Sequence, residues 1–388
     1  MKNVAMYKKV KSIVDENHLD ALVLGGTYNI QYATGVHIPC AHAQTDLVMF
    51  AVFAVGKEPM VLVPKCWESV ARQTCYFTNV RSYGLDNRPL EMATAALVDW
   101  CQPAKRIGTD DGNMSVTVNA QLAHAFERAG VTLVPCKSHI SKARSIKTDE
   151  EVALLTAIAY KTDHVINGHF HHLSADRPKT ASSISESLRI HSQERDIEIS
   201  GYNACSRAVL GESLSKFWAY APKYGFADCE MTKDNDTIVA HVLNTENGYW
   251  SNATRMAISS DRMSDEQERM YAALNQLRDL LLSSLRIGRK CSDIYHEMIE
   301  HSKKESLSLV NNIPLGFCVG VSPMEGPFLS PGEEQTVEAS MVLVLNPVVK
   351  YGTYFYRSSD TVVIKEDGPE VVNWYKDWRE PYLAILAL

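Results

Sequence analysis

One stretch restricts what this chain can fold into more than any other: Asp236 to Arg255, DTIVAHVLNTENGYWSNATR. Two runs of apolar and β-branched residues, Thr237 to Leu243 and Tyr249 to Ala257, flank the turn-forming Asn244-Thr245-Glu246-Asn247-Gly248, so the stretch reads as a β-hairpin. Side chains alternate across a strand, which puts His241 on one face with Val239 and Asn252 on one face with Trp250 and Thr254. A histidine and an asparagine at core-facing strand positions need partners, as a buried hydrogen-bonded pair or as members of a site.

The rest of the chain must supply the surroundings. With 388 residues, 45% hydrophobic and 22% charged, it has the make-up of a soluble globular protein with room for two domains. A net charge of -7 and the absence of any long lysine or arginine run argue against a nucleic-acid partner. No apolar run approaches the roughly 18 residues of a membrane span, and the amphipathic N-terminus lacks the apolar centre of a signal peptide. Nine cysteines form no CxxC pair and are odd in number, which predicts free thiols in a reducing cytoplasm.

Through about residue 140 helix and strand patterns alternate, which predicts a small α/β domain spanning 1–140. The polar, basic segment His139 to Lys147 is expected to be a linker, and residues 141–388 the second domain. That domain opens on Thr148 and Glu151, spaced as a capping box ahead of an apolar stripe, with a helix expected to about His172. Its HFHH end, His169 to His172, lacks acidic or cysteine company and reads as a solvated helix end rather than a metal site. Further helices are expected over Thr180 to Glu194, from a Ser264/Gln267 capping box through Leu285, and from a Ser292 cap to about Lys304. An aromatic connection carrying Tyr202, Trp218, Tyr220, Tyr224 and Phe226 leads into the hairpin. The last third contains four strands, near Phe317 to Val321, Met341 to Val348, Tyr354 to Tyr356 and Thr361 to Ile364.

Three motifs then point the same way. Asn29-Ile30-Gln31-Tyr32-Ala33-Thr34-Gly35, Ile146-Lys147-Thr148-Asp149-Glu150-Glu151 and Tyr356-Arg357-Ser358-Ser359-Asp360-Thr361-Val362 resemble, in this order and spacing, motifs of the creatinase, aminopeptidase P and prolidase family. The resemblance covers nearly the whole chain. It implies an α+β fold, in which a small N-terminal α/β domain precedes a C-terminal pita-bread domain, a curved antiparallel sheet with helices outside and the active site inside. It also implies a homodimer in which the loop Val36 to Asp46 brings His37 or His42 to the partner's pocket, although both read equally well as surface histidines.

Most of the family hold two metal ions with two aspartates eleven residues apart, a histidine and two glutamates. Carried over by position, the aspartates become His241 and Asn252, the histidine becomes Phe317, and the glutamates become Asn346 and Ser359. The histidine-glutamate pair beyond the metal histidine becomes Met324-Glu325. Two divalent cations need several carboxylates, and these five positions supply none, so no metal and no other cofactor is expected.

What is expected is a pocket for a small-molecule substrate. His241 is the candidate acid/base because imidazole titrates near neutral pH, with Glu325 as a second catalytic candidate. Asn252, Phe317, Cys318, Asn346, Arg357, Ser359, Asp360, Tyr220 and Tyr224 are candidate binding residues. Cys318 reads either as a nucleophile or, more commonly, as buried packing; Arg357 and Asp360 read equally well as an ion pair. Metal-free relatives hydrolyse C–N bonds of small nitrogenous compounds with a histidine placed before the hairpin. Here that place falls near Tyr224, and no histidine occurs between Ser200 and Ala240. Three readings follow: a metal-independent hydrolase of an amidine, guanidino or cyclic amide compound, a metal-free lyase or cyclase, and a catalytically silent binding protein.

Overall fold

The computed structural model describes residues 4–38, 47–85, 88–175, 188–195, 198–199, 204–207, 237–258, 260–310, 313–351, 354–374 and 380–383. The chain divides into two compact units, Met1–Arg144 and Ser145–Leu388.

The first unit is built on six strands: β1 (Ala21–Leu24), β2 (Phe50–Ala54), β3 (Met60–Pro64), β4 (Val80–Tyr83), β5 (Arg106–Thr109) and β6 (Thr132–Pro135), in the order β4-β3-β2-β1-β5-β6. β2 runs antiparallel to β1 and β3, while β3–β4, β1–β5 and β5–β6 are parallel. Every residue of β1 is buried, as in a strand covered on both faces. The segment beginning at Asn29 does structural work here. Asp110 accepts hydrogen bonds from the backbone N–H of Gly25 (2.8 Å) and Gly26 (3.0 Å) and from Asn29 Nδ2 (2.7 Å), and Arg144 Nη1 donates to Asn29 Oδ1 (2.8 Å). The helix Thr27–Thr34 then stops on Gly35, whose φ of 75° suits a residue without Cβ. The expected linker is instead mostly helix, Lys137–Ser145, because Ile140 and Arg144 give it a buried side.

In the second unit the Thr148–Glu151 capping box forms in both directions: Glu151 N–H donates to Thr148 Oγ1 (3.2 Å) and Thr148 N–H to Glu151 Oε2 (2.8 Å). The helix it starts, Asp149–Ala175, runs past the expected end. His169 is fully buried on it, beside the stripe of Val165, Ile166 and Phe170, rather than solvated as the HFHH end suggested. Of the expected helix Thr180 to Glu194, residues 188–193 are helical and residues 180–187 lie outside the described residues.

Strand pairing around the hairpin brings in β7 (Glu198–Ile199) and β8 (Ala204–Arg207), which pair with β9 (Thr237–Glu246); β9 in turn pairs with β10 (Tyr249–Ile258). Only Asn247 and Gly248 form the turn, with φ of 52° and 76°, the pattern of a tight type I′ hairpin. Asn244, Thr245 and Glu246, expected in the turn, belong to the strand. The outer face of the hairpin packs Ala240, Val242, Ala253 and Ala257 against Val165, Ile166 and Phe170.

The remaining strands are β11 (Ser308–Leu309), β12 (Gly316–Cys318), β13 (Glu325–Phe328), β14 (Val342–Leu345), β15 (Val348–Tyr351), β16 (Tyr354–Arg357), β17 (Asp360–Lys365), β18 (Gly368–Val371) and β19 (Tyr382–Leu383). Five of them form an antiparallel sheet, β13-β12-β14-β17-β18. One face carries Cys318, Leu343, Leu345, Val362 and Ile364 into a core with Leu274, Leu277 and Leu281 of helix Asp265–Ser284 and Cys291, Ile294 and Met298 of helix Cys291–Lys304. Each such buried side chain contributes roughly 1.5–3 kcal/mol. The Ser264–Gln267 capping box is present. Ser292 does not cap the later helix, which starts one residue earlier with Lys290 at the N-cap position and no side-chain cap bond.

Candidate functional site

The face of this sheet opposite the helices carries Phe317, Val344, Asn346 and Thr361. Beside it the hairpin is joined by a reciprocal pair of bonds, in which Thr254 N–H donates to Ser359 Oγ (2.6 Å) and Ser359 N–H donates to Thr254 O (3.1 Å). Register fixes the neighbours: His241 lies opposite Thr254, and the pairing of Leu345 with Asp360 sets Asn346 across from Ser359. His241, Thr254, Ser359 and Asn346 therefore form one lateral row, with Asn252 two residues along β10 from Thr254 and Phe317 beside Val344 on β12. The five positions implied by the family resemblance meet on one face. All five are at least 95% buried.

Within the row the hydrogen bonds fix the chemistry. Asn252 Nδ2 donates to the carbonyl of Pro323 (3.3 Å), which turns Oδ1 toward His241 Nε2 at 3.0 Å. An amide oxygen only accepts, so Nε2 carries the proton and Nδ1 of the neutral ring keeps its lone pair. Burial, then the positive charge of Arg357, hold the imidazole pKa well below its ordinary value, against the smaller opposing effect of the bond to Asn252. Arg357 Nε donates to Asn346 Oδ1 (2.7 Å), and burial lowers the guanidinium to about 9, which leaves it charged at neutral pH.

Other expected site residues are placed elsewhere. Cys318 sits on the helix-facing side with Leu343 and Cys291, and burial pushes its thiol up to about 12, so it is core packing and not a pocket nucleophile. Asp360 also faces away from the row. It pairs with Arg255 (3.4 Å) and with Arg278, and Arg255 reaches Asp163 (3.3 Å), so the expected Arg357–Asp360 ion pair does not form. The physical reason is alternation: Asp360 and Ser359 are successive residues and point to opposite faces. Glu325 is held by Lys147 Nζ at 2.8 Å in a pair buried on both sides. Tyr220 and Tyr224 lie outside the described residues, as does His42; His37 is described, with Nδ1 3.2 Å from Gln31 Oε1. Sequence reasoning missed Lys147, Thr254 and Thr361. Lys147 looked like the end of a basic linker, and the two threonines looked like ordinary strand formers; only the strand register singles them out.

The donor set does not fit two divalent cations. His241 Nε2 is spent on Asn252, Asn346 Oδ1 on Arg357 and Ser359 Oγ on Thr254, Phe317 offers no donor atom, and a guanidinium stands beside them. No three His, Cys, Asp or Glu side chains among the described residues are grouped to hold a metal.

Comparison with known proteins gives this architecture a family. Residues 6–146 match the creatinase/prolidase N-terminal domain, and residues 189–366 match metallopeptidase family M24. The peptidase YqhT of Bacillus subtilis (strain 168) is 20% identical over 367 residues, covering 94% of this chain and 96% of its own. The X-Pro aminopeptidase of Thermotoga maritima MSB8 shares the fold with a TM-score of 0.81 at 15% identity, covering 97% of this chain and 99% of its own. The N-terminal domain of FACT complex subunit SPT16 from chickpea (Cicer arietinum) shares it with a TM-score of 0.70 at 15% identity, covering 95% of each chain. Fold and sequence define a peptidase or hydrolase scaffold of the M24 type, α/β in its N-terminal unit and pita-bread in its second. The chain belongs to the creatinase, aminopeptidase P and prolidase family. No helix among the described residues is long and apolar enough to cross a membrane.

Proposed function

We propose that the protein is a metal-independent M24-type enzyme that hydrolyses a C–N bond of a small nitrogenous compound such as an amidine, guanidino or cyclic amide. One observation carries this reading: a neutral His241, oriented by Asn252, shares a row with Ser359 and Asn346 where the family resemblance implies metal-bound carboxylates. In the proposed step a water attacks the substrate carbon while His241 Nδ1 takes the water's proton. The C–N bond then breaks, and the imidazolium gives that proton to the leaving nitrogen. The lowered imidazole pKa makes His241 a modest base but a strong acid once protonated, which favours the second transfer. Asn252, Asn346, Ser359 and Phe317 hold the substrate. Glu325 acts through its pairing with Lys147, as support beneath the face. The active form is a homodimer with a small-molecule substrate and no nucleic-acid or membrane partner.

The test is a panel of small amidino, guanidino and cyclic amide compounds, with product amine followed by NMR, on wild type and His241→Ala. Turnover that survives the substitution undiminished sinks the acid/base role. Stoichiometric zinc, manganese or cobalt in protein purified without chelator sinks the metal-independent reading. A catalytically silent binding protein is the second reading, favoured by the shared fold of the FACT subunit domain; absence of turnover across the panel, with a ligand bound, supports it.

A further inference from the structure

Three buried polar atoms on or beside the row remain without a hydrogen-bond partner among the described residues: Asn346 Nδ2 and Thr254 Oγ1 in it, and Thr361 Oγ1 two residues along the same face. Their residues are 0%, 0% and 3% exposed. Each unmade bond costs about 1–3 kcal/mol, so three on one face form a costly arrangement for an unliganded core. Their placement is contiguous. Thr254 is bonded to Ser359, Asn346 stands across from Ser359, and Thr361 follows Ser359 by two residues on the same face. Arg357 fixes the polarity of the asparagine: by donating to Oδ1 it leaves the two N–H bonds of Nδ2 as the free end. The row therefore offers an amide donor, hydroxyl groups free to rotate their protons and a neighbouring guanidinium charge, and the family's metal-ligand positions contribute no carboxylate to it.

We propose that this row is a carboxylate seat: the small substrate places a carboxylate group on Asn346 Nδ2 and the hydroxyls of Thr254 and Thr361. The anion thus lies where the family resemblance implies metal cations in most members, and the reacting C–N bond faces His241. The inference deepens the small-molecule reading given above and rests on it for the identity of the pocket. A planar carboxylate has two oxygens with about four acceptor directions, enough for an amide N–H on one side and hydroxyls on the other. An uncharged amide offers one acceptor oxygen and no negative charge to the neighbouring guanidinium.

The experiment is isothermal titration of the full-length protein with acetate, malonate, sulfate and uncharged acetamide, repeated on Thr254→Val and Asn346→Asp. Thr254→Val keeps the shape and removes one hydroxyl. Asn346→Asp exchanges the amide donor for a like charge while keeping a partner for Arg357. Wild type is expected to bind acetate or malonate at least tenfold more tightly than acetamide, and each variant to weaken that binding at least tenfold. Equal binding of acetamide and acetate overturns the proposal, as do the absence of carboxylate binding, a preference for sulfate over both carboxylates, and unchanged binding in Thr254→Val. Asn346→Asp is scored only with native circular dichroism; Thr254→Val decides otherwise. Failure here is distinguishable from failure of the hydrolytic reading. Carboxylate binding without turnover of any compound removes the reaction and leaves the seat, whereas turnover without carboxylate binding removes the seat and leaves the reaction.

Discussion

Replacing His241 by Gln isolates the electrostatic state of the row. The substitution keeps a polar side chain within reach of Asn252 and removes the titration. In the folded protein, burial and the Arg357 charge hold the imidazole pKa well below its usual value, while the unfolded chain takes up its proton near 6.5. Below that pH the unfolded state binds more protons than the folded one, so wild-type stability falls as pH falls and is intact above it. At pH 5.5, about a unit below the unfolded-state value, the loss is on the order of 1 kcal/mol, and it grows as the pH falls further toward the folded-state value. Urea unfolding of the second unit at pH 7.5 and 5.5 measures it. Wild type is expected to lose roughly 1 kcal/mol more than His241→Gln between these pH values. Parallel losses in the two proteins would refute the reasoning, because they require an imidazole that titrates normally and therefore a face open to water.

Lys147→Met leaves the Glu325 carboxylate buried without its cation and is expected to cost about 3–5 kcal/mol in the urea transition, with much of the loss recovered when Glu325→Gln is added. Asp110→Ala removes the acceptor of two backbone N–H groups and of Asn29 Nδ2; a loss of about 3 kcal/mol or more by denaturant titration is expected, and a change below about 1 kcal/mol contradicts the assigned network. Sedimentation at working concentration is expected to show a dimer; a monomer removes the proposed assembly.

The parts of the fold that are legible in the sequence are those set by local periodicity and capping. The Thr148–Glu151 and Ser264–Gln267 boxes and the hairpin follow from residue type and spacing alone. The turn was less legible. β-branched Thr245 between Asn244 and Glu246 reads as turn by composition, yet the strand extends through it because Asn247-Gly248 takes both left-handed φ values. His139 to Lys147 reads as a linker because its composition is polar; the helix Lys137–Ser145 that takes up most of it depends on burying Ile140 and Arg144, which composition does not reveal. In the site, the pairing of His241 with Asn252 follows from positions on adjacent strands. The fates of Cys318 and Asp360 do not, since each is settled by which side of a strand faces the helices. Lys147 and Glu325 are 178 residues apart, and no local signal joins them.

The replacements at the five family positions are coordinated by charge. A carboxylate cage stripped of its cations leaves buried like charges in contact, which are costly unless protonated. Here the positions have instead become His241, Asn252, Phe317, Asn346 and Ser359, and the four new polar residues pair with one another or with their neighbours: His241 with Asn252, Asn346 with Arg357 and Ser359 with Thr254. A relic under no demand to bind anything would gain by closing the remaining gaps with apolar side chains, since each orphaned donor costs about 1–3 kcal/mol. Asn346 Nδ2, Thr254 Oγ1 and Thr361 Oγ1 remain open together on one face, beside a cation and a neutral imidazole. That combination of a repaired charge balance and a retained set of donors is what a binding face requires, and it is why the row, rather than any single residue in it, is the object to test.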